Sequence, residues 1–488
     1  MDTEEHLVYK KILKATSLFG GVQGISIFSS IIKSKFLAIL IGTSGYGIYG
    51  FLITIIDLFK QVSGLGIETS GVKLIAENAE NELELTNKIS VLYKLSFVLG
   101  CLGVLAAICF APFLSWIVFS DTSKWFVFVF ISLSILFNQL VATNNAIFQG
   151  SDKVSFLAKS NLYSNLVGLF ITIPLFYFFR TDAIIPSILC VSLINFLIST
   201  YYLSKIIRVK KTISIAQSFS EGKDIIRFGS LFVLLGFLPL VVNFALQFII
   251  NIKEGIQTVG LFNVAIIVLN TYVGFVFSIM ATEYYPRLVK SFASEDSISK
   301  IVAQQITISL LLVVPLVLFF NLFGHYLINL LFSDKFVAIT KMLNWALYGM
   351  VFKAISFPIG YIFIAKTDSK IFAKTSIIFN CLYFLMLYFG FSFYGLEGLG
   401  VAILVYYIIH LLVIYIIANK RYQLTFDSRL IYLIVILLIV SLLFLIIKML
   451  VIDNFSYLLL LFLINLIFSI YKFKSLLSNG NFNNKEVI

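Results

Sequence analysis

Residues 33–77 read KSKFLAILIGTSGYGIYGFLITIIDLFKQVSGLGIETSGVKLIAE. This stretch predicts the end of one apolar helix, a glycine-rich turn at 42–50, a second apolar helix and an amphipathic tail. The apolar run contains four charged residues, namely Lys33, Lys35, Asp57 and Lys60. On insertion scales a charge near the bilayer centre costs roughly 2.5–3.5 kcal/mol. We therefore expect these side chains to face a polar cavity between membrane helices.

The composition of the whole chain agrees with a membrane location. Of the 488 residues 60% are hydrophobic and only 12% are charged, against about 25% charged in soluble domains. Apolar segments about 20 residues long, the length of a spanning helix, recur throughout. They predict an all-α polytopic protein with fourteen spans, at about 13–41, 46–66, 89–111, 125–148, 155–179, 183–204, 226–250, 258–281, 301–323, 338–364, 372–391, 397–418, 430–448 and 455–471.

The basic residues predict the orientation of these spans. With the N-terminus inside, the inner segments hold about 25 Lys and Arg and the outer loops about 5. The positive-inside rule then places both termini in the cytoplasm. Because the net charge of +12 follows this alternation, it indicates membrane orientation rather than nucleic-acid binding.

Sequence motifs for catalysis or metal binding are absent. The four cysteines lie in apolar runs, the three histidines are scattered, and no nucleotide-binding glycine motif occurs. A polymerase or ligase would need a large outer loop for its catalytic residues, and the predicted outer loops are short. The sequence predicts no enzyme, no metal and no cofactor, with coupling to an H⁺ or Na⁺ gradient left open.

The chain also contains an internal repeat at an offset of 213 residues. Gly42 aligns with Gly255 and Gly47 with Gly260, while Asp57 aligns with Asn270. Parallel repeats of this kind predict two lobes with the substrate between them and alternating access. The predicted parts are an N-lobe at 1–204, a cytoplasmic linker at 205–225, a C-lobe at 226–419, and two added spans with a cytoplasmic tail at 420–488.

The helical period sorts polar residues onto common faces of the first, second, seventh and eighth spans. The candidate substrate contacts on these faces are Gln23, Lys33, Lys60, Asn243 and Asn270. Small and polar residues also occur at packed helix interfaces, so each of these faces, including that of Gln23, also fits helix packing, and packing is favoured for the asparagines. Asp57 precedes Lys60 by three residues, a spacing that allows a pair on one helix. Asp57 is thus either an ion-coupling carboxylate or the partner of Lys60.

Two further lysines complete the candidate substrate contacts. Lys35 points away from the polar face of the first span and fits an interfacial position as well. Lys353 lies deep in the tenth span near Pro358, and it fits either a substrate contact or a bond to a carbonyl freed by the proline. The many aromatic residues are interpreted as lipid-facing bulk and interfacial anchors, with none assigned to a site.

The turn and the residues after it resemble a known family. Ile41-Gly42-x-x-x-x-Gly47-x-Tyr49, followed by Leu65-Gly66 and the basic Lys73, is similar to the polysaccharide transport family. This family comprises the O-antigen flippases of the multidrug/oligosaccharidyl-lipid/polysaccharide (MOP) exporter superfamily. Many members have Arg where Ile39 stands here, and Lys33 or Lys35 would take its place.

The resemblance implies two six-helix bundles around a cationic cavity, lined by the first, second, seventh and eighth spans. It implies a flippase that moves an undecaprenyl-pyrophosphate-linked oligosaccharide across the bacterial inner membrane, with a polysaccharide polymerase and glycosyltransferases as partners in the pathway. Two alternatives remain: a cation-coupled multidrug exporter of the same superfamily, which would use Asp57, and a lipid II flippase. Nucleic acid is not an expected partner.

Overall fold

The computed structural model describes residues 3–78, 81–206, 214–292, 298–366, 368–450 and 455–482. The side chains of residues 3–23 and 476–482, and of some positions between 224 and 290, lie outside this description. The described chain is helical. Its α-helices are α1 Thr3–Ser63, α2 Ile67–Glu77, α3 Glu82–Cys109, α4 Ala111–Phe119, α5 Trp125–Gly150, α6 Val154–Phe179, α7 Ile184–Ser204, α8 Ile215–Glu221, α9 Lys223–Glu254, α10 Ile256–Ile267, α11 Phe275–Ser291, α12 Ile298–Leu331, α13 Thr340–Ala365, α14 Ser369–Tyr422, α15 Ser428–Leu450 and α16 Phe455–Phe482.

Eleven helical segments in the described residues are long and apolar enough to cross a membrane. Three of them contain a reversal of the chain: α1 breaks at Gly42, α6 and α7 meet at Arg180, and α14 breaks at Gly395. Side chains on either side of each break touch, as Phe379 and His410 do with ring centroids 4.4 Å apart. Eleven segments with three reversals give fourteen crossings, so the predicted fold class is confirmed.

The repeat is visible in the backbone. Gly42 has φ 63° and ψ −166°, and its counterpart Gly255 has φ 84° and ψ 172°. A positive φ of this kind is accessible mainly to glycine. The helices that follow pack closely where Gly47 meets its own counterpart Gly260, and a Cβ on either would strike the other helix's backbone. Contact between equivalent residues is the arrangement that two-fold pseudosymmetry produces.

The chain divides into two compact units. Unit 1 comprises Met1–Leu261 and Leu331–Ser333, and unit 2 comprises Phe262–Leu330 and Asp334–Ile488. One core of unit 1 is formed by buried residues of α2, α3 and α5, including Ile75, Leu92 and Phe148. In unit 2, α13 packs against α14, and Tyr284 of α11 donates a hydrogen bond to the carbonyl of Pro358 (2.8 Å).

A lysine-lined cleft in unit 1 and an aromatic-capped lysine in unit 2

Lys33 lies beside the second half of α1. Its Nζ donates a hydrogen bond to the hydroxyl of Tyr49 (2.9 Å) and lies 5.4 Å from the centre of that ring. In an unbroken helix these residues would be about 24 Å apart along the axis, given a rise of about 1.5 Å per residue. The break at Gly42 folds the helix back and brings the ammonium group against the hydroxyl.

The Lys33 cleft has a volume of about 170 Å³. It lies between the first half of α1 and the helices α6 and α7, and its walls are mostly small or polar. They consist of Ser26, Ser29, Ser30, Lys33, Ser164, Asn165, Gly168, Leu169, Val191 and Asn195. No carboxylate is part of this wall as described, so its only formal charge is the positive one on Lys33.

The amides of the cleft differ in how they are bonded. Asn165 donates from Nδ2 to the Ser26 hydroxyl (3.0 Å), which ties α6 to α1. The Oδ1 atom of Asn195 is buried and has no hydrogen-bond partner among the described residues. A buried polar atom without a partner costs about 1–3 kcal/mol, so water or a ligand hydroxyl in the cleft would stabilise it.

The structure differs from the sequence analysis in the location of Lys33. We expected the first and second spans to share their cavity with the seventh and eighth, whereas the cleft beside Lys33 is closed by the fifth and sixth spans, α6 and α7. The difference arises because periodicity identifies a polar face but not the helix opposite it. Lys35 is not part of the cleft wall, and the Gln23 side chain lies outside the described residues.

Lys60 is paired with a residue other than the one expected. Its Nζ lies 3.4 Å from the Glu68 carboxylate, across the break between α1 and α2 where Leu65 and Gly66 have positive φ. No ion pair joins Lys60 to Asp57 among the described residues, although the lysine charge still acts on that carboxyl. The spacing of three residues permitted the predicted pair, but the break brings Glu68 within reach.

The seventh span, α9, packs on the second half of α1 through polar side chains. Gln247 donates from Nε2 to the Thr54 hydroxyl (2.9 Å), and Asn243 donates to the same oxygen (3.3 Å). Thr54 and Gln247 are both buried. Asn243 therefore takes part in helix packing here, one of its two predicted roles.

The remaining candidates, Asn270 and Lys353, belong to unit 2. Asn270 is exposed and lies in a π-helical turn, Val268–Val273, a rare distortion that is often found at functional sites. Lys353 is half-buried, with its Nζ 5.2 Å from the ring centre of Phe277 and 5.5 Å from that of Tyr407. Rings, rather than a freed carbonyl, contact this ammonium group.

The sequence analysis assigned no aromatic residue or histidine to a site, and there it missed Tyr49, Tyr407 and His410. Tyr407 and His410 are three residues apart, and this spacing alone predicts that they are neighbours on one helical face. The sequence analysis also missed Asn165 and Asn195. They lie in the fifth and sixth spans, whereas the polar faces were predicted on the first, second, seventh and eighth. Their contribution appears only when α6 and α7 close against α1.

Comparisons with known proteins agree with this architecture. A family model described as "Polysaccharide biosynthesis protein" matches residues 36–341, well over half of the chain. The chain belongs to this family. No curated protein matches the chain by sequence.

Solved structures resemble the chain in fold. The lipid II flippase MurJ in an inward closed conformation has a TM-score of 0.65 and 15% identity, covering 95% of this chain and 99% of that one. A mutant form of the MATE transporter VcmN of Vibrio cholerae has a TM-score of 0.61 and 15% identity over 86% of this chain and 98% of its own. An inward-facing MATE transporter of the MOP superfamily has a TM-score of 0.61 and 16% identity over 84% and 94%.

The predicted polysaccharide family is thereby confirmed, and the predicted fold is confirmed by its similarity to MurJ and to MATE transporters. The chain is a multi-pass membrane protein of the polysaccharide biosynthesis family.

Proposed function

We propose that this protein flips an undecaprenyl-pyrophosphate-linked oligosaccharide, a repeat unit of O-antigen, capsule or exopolysaccharide, across the bacterial inner membrane. The observation that carries the proposal is the Lys33 cleft, a membrane-embedded cleft with one cation, several hydroxyl and amide groups, and no carboxylate in its described wall. The mechanism is alternating access, and no covalent bond of the substrate changes. A polysaccharide polymerase and glycosyltransferases would act on the same substrate outside this protein.

The chemistry of the cleft suits a phosphate group. A unit positive charge about 4 Å from a unit negative charge gains about 4 kcal/mol at an effective dielectric constant of 20, before desolvation is subtracted. Lysine acts as a point charge with three donors and can follow a phosphate group as it moves. The serine hydroxyls can donate to the remaining phosphate oxygens.

The volume of the cleft limits what enters it. At about 170 Å³, compared with roughly 30 Å³ of liquid volume per water molecule, the cleft has room for a phosphate-sized group but not for an oligosaccharide. The sugars would lie outside the cleft, and the polyprenyl chain would stay in the bilayer. Lys33 is thus the proposed principal contact of the pyrophosphate.

A charge-deletion experiment tests this assignment. The assay is export in a flippase-deficient strain, with the amount of protein in the membrane measured in parallel. Lys33→Ala deletes the cation of the cleft and leaves its hydroxyl and amide groups in place, so we expect normal insertion and at least a tenfold loss of export. Lys33→Arg should keep part of the activity, since the charge remains.

Lys35→Ala is the matched control, because Lys35 lies two residues away outside the cleft wall. It should reduce export less than twofold. Wild-type export by a well-inserted Lys33→Ala protein would contradict the role of Lys33.

The substrate class is tested separately from the residue. Purified protein in liposomes should move a fluorescent polyprenyl-pyrophosphate oligosaccharide and leave cationic drugs unmoved. Movement of lipid II alone would favour the lipid II flippase alternative. Export of a cationic drug that fails on Asp57→Asn would favour the cation-coupled exporter.

The orientation is tested by cysteine labelling in a background without the four native cysteines. We propose that both termini and α8 lie in the cytoplasm and that the turn around Gly255 lies outside. Gln217 and Gln257 are both exposed and offer matched positions. An impermeant reagent applied to intact cells should label Gln257→Cys and not Gln217→Cys, and the reverse pattern would contradict the orientation.

A further inference from the structure

A cluster of aromatic and basic side chains lies in the membrane-spanning part of unit 2, outside the Lys33 cleft. His410 follows Tyr407 by one helical turn in the second half of α14. Its ring centroid lies 4.4 Å from that of Phe379 and 5.7 Å from that of Tyr406. Lys353 reaches the same cluster from α13, over the ring of Tyr407, and its charge acts on His410.

His410 retains an unused hydrogen-bonding atom. Its Nδ1 is buried and has no hydrogen-bond partner among the described residues. A neutral imidazole has one donor nitrogen and one acceptor nitrogen, and in the tautomer in which Nδ1 is the acceptor its lone pair is free to bind a proton. Lys353 is likewise held by ring faces and has no acid beside it in the described chain.

Among the described residues, no acid of the surrounding helices is paired with Lys353 or His410. On α14, Glu397 accepts from the indole of Trp345 (3.1 Å) and precedes His410 by 13 residues, about 20 Å along the helix. Asp368 is paired with Arg421 (2.7 Å). The side chain of Glu283 on α11 lies outside the described residues. The other titratable groups that face the two bases are the hydroxyls of Tyr383, Tyr406 and Tyr407.

Two bases in one cluster among aromatic rings cannot easily both be charged. Like charges repel strongly at low effective dielectric, so protonation of one base disfavours protonation of the other. We propose that Lys353 and His410 form a site that holds one exchangeable proton in unit 2. The proton binds to the Nζ or Nδ1 lone pair, no other bond changes, and the cluster alternates between a neutral and a singly charged form.

The helix that carries Lys353 also contains a point of flexibility. Pro358 has no backbone N–H, which leaves the carbonyl of Ala354 without its usual helical partner. Tyr284 of α11 bonds to the Pro358 carbonyl, so α11 and α13 are tied together at this point. Bending at Pro358 would move Lys353 relative to the rings that cover it, and this would open the site to water on one side.

The proton site can be tested without any transport assay. The chain has three histidines, His6, His325 and His410, so ¹⁵N-histidine NMR of the protein in nanodiscs gives few signals, assigned with His6→Gln and His325→Gln. Lys353→Met keeps the length of the side chain and removes its charge. The pH at which half of His410 is protonated should rise by at least one unit, a tenfold gain in proton affinity, because a repelling charge is gone.

Two further variants keep this test decisive. Lys353→Arg retains a permanent cation over the aromatic rings, and it should keep His410 neutral across the accessible pH range. Lys341→Met removes an exposed lysine at the start of the same helix, and it should leave the His410 titration unchanged. A His410 titration that is the same in wild type, Lys353→Met and Lys353→Arg would overturn the proposal.

The link to transport rests on the proposed function and is measured separately. In liposomes with a fluorescent polyprenyl-pyrophosphate oligosaccharide, wild-type flipping should change with an imposed pH gradient, and Lys353→Met flipping should not. If the His410 titration responds but no lipid moves in wild type, the proton site stands and the flippase proposal fails. If flipping in Lys353→Met responds to the gradient as in wild type, the proton site is not the coupling element.

Discussion

Lys33 in unit 1 and Lys353 in unit 2 are the same residue type in two different environments. Lys33 bonds to the Tyr49 hydroxyl and borders a cleft of about 170 Å³ lined with serines and asparagines. Lys353 has only the faces of Phe277 and Tyr407 near its ammonium group among the described contacts. Hydrogen-bonding groups surround Lys33, whereas the faces of aromatic rings surround Lys353.

The surroundings of each lysine determine what it can bind. An ammonium group beside hydroxyls in an open cleft can exchange bound water for an anion. The neighbouring polar groups stabilise its charge both before and after the exchange. An ammonium group covered by ring faces has cation–π stabilisation of about 2 kcal/mol or more when desolvated, and in the described contacts of Lys353 no hydroxyl or amide stands ready to share an anion. It can lose or regain a proton.

The largest effect is expected where the ring over Lys353 is removed. Tyr407→Leu deletes one cation–π face and leaves a cavity, which together should lower the free energy of unfolding by about 3–5 kcal/mol. Thermal unfolding of purified protein measures this loss. Tyr407→Phe keeps the ring and should cost less than about 1 kcal/mol, and an equal loss in both variants would contradict the cation–π role.

The next effect concerns how helices are joined in unit 1. Thr54→Val removes the hydroxyl that accepts from both Asn243 and Gln247, and it should destabilise the protein by about 1–2 kcal/mol. Thr375→Val in unit 2 is the control, because Thr375 bonds only to the backbone of its own helix among the described contacts. That variant should stay within about 0.5 kcal/mol of wild type in the same unfolding measurement.

A smaller effect is expected at the hydroxyl that holds Lys33. Tyr49→Phe keeps the ring but removes the acceptor, and a lost hydrogen bond of about 1 kcal/mol should weaken substrate binding roughly fivefold. Binding of a polyprenyl-pyrophosphate oligosaccharide to nanodisc-embedded protein checks this. The same exchange at Tyr407 should leave binding unchanged, and equal effects at both tyrosines would remove the distinction between the two lysines.

The smallest effect on stability is expected from a carboxylate that lies outside the spans and forms an ion pair. Partial burial raises the pKa of Asp368, but hydrogen bonds from Arg421 and Tyr422 outweigh it and hold the pKa below its usual value. The pair therefore stabilises the fold above pH about 4, near the pKa of an unpaired aspartate, and this contribution is lost as the pH falls further.

Asp368→Asn should accordingly lower the unfolding temperature slightly at pH 7, and its difference from wild type should vanish as the pH falls below about 4. Adding Arg421→Gln to Asp368→Asn should cause little further loss at pH 7. A constant difference at every pH would show that the carboxylate charge is not what stabilises the hairpin ends.

The membrane class, the fourteen crossings and the repeat were predictable from the amino-acid sequence. These features depend on local properties: the length of apolar segments, the bilayer thickness that they must match, and backbone conformations that Gly42 and Gly255 adopt and other residues avoid. The polar face of the first span was also predictable, because the helical period alone places Ser26, Ser30 and Lys33 together.

The helices that those polar faces contact could not be predicted, because they depend on tertiary packing. Whether α6 and α7 or another pair closes over Lys33 depends on packing between segments more than 100 residues apart, and one helix's periodicity contains no information about its neighbour. Lys60 forms its ion pair with Glu68 rather than with Asp57 because the backbone breaks at Leu65–Gly66. Lys353 and His410 both lie near the ring of Tyr407, and this requires α14 to fold back at Gly395 and bring its second half alongside α13.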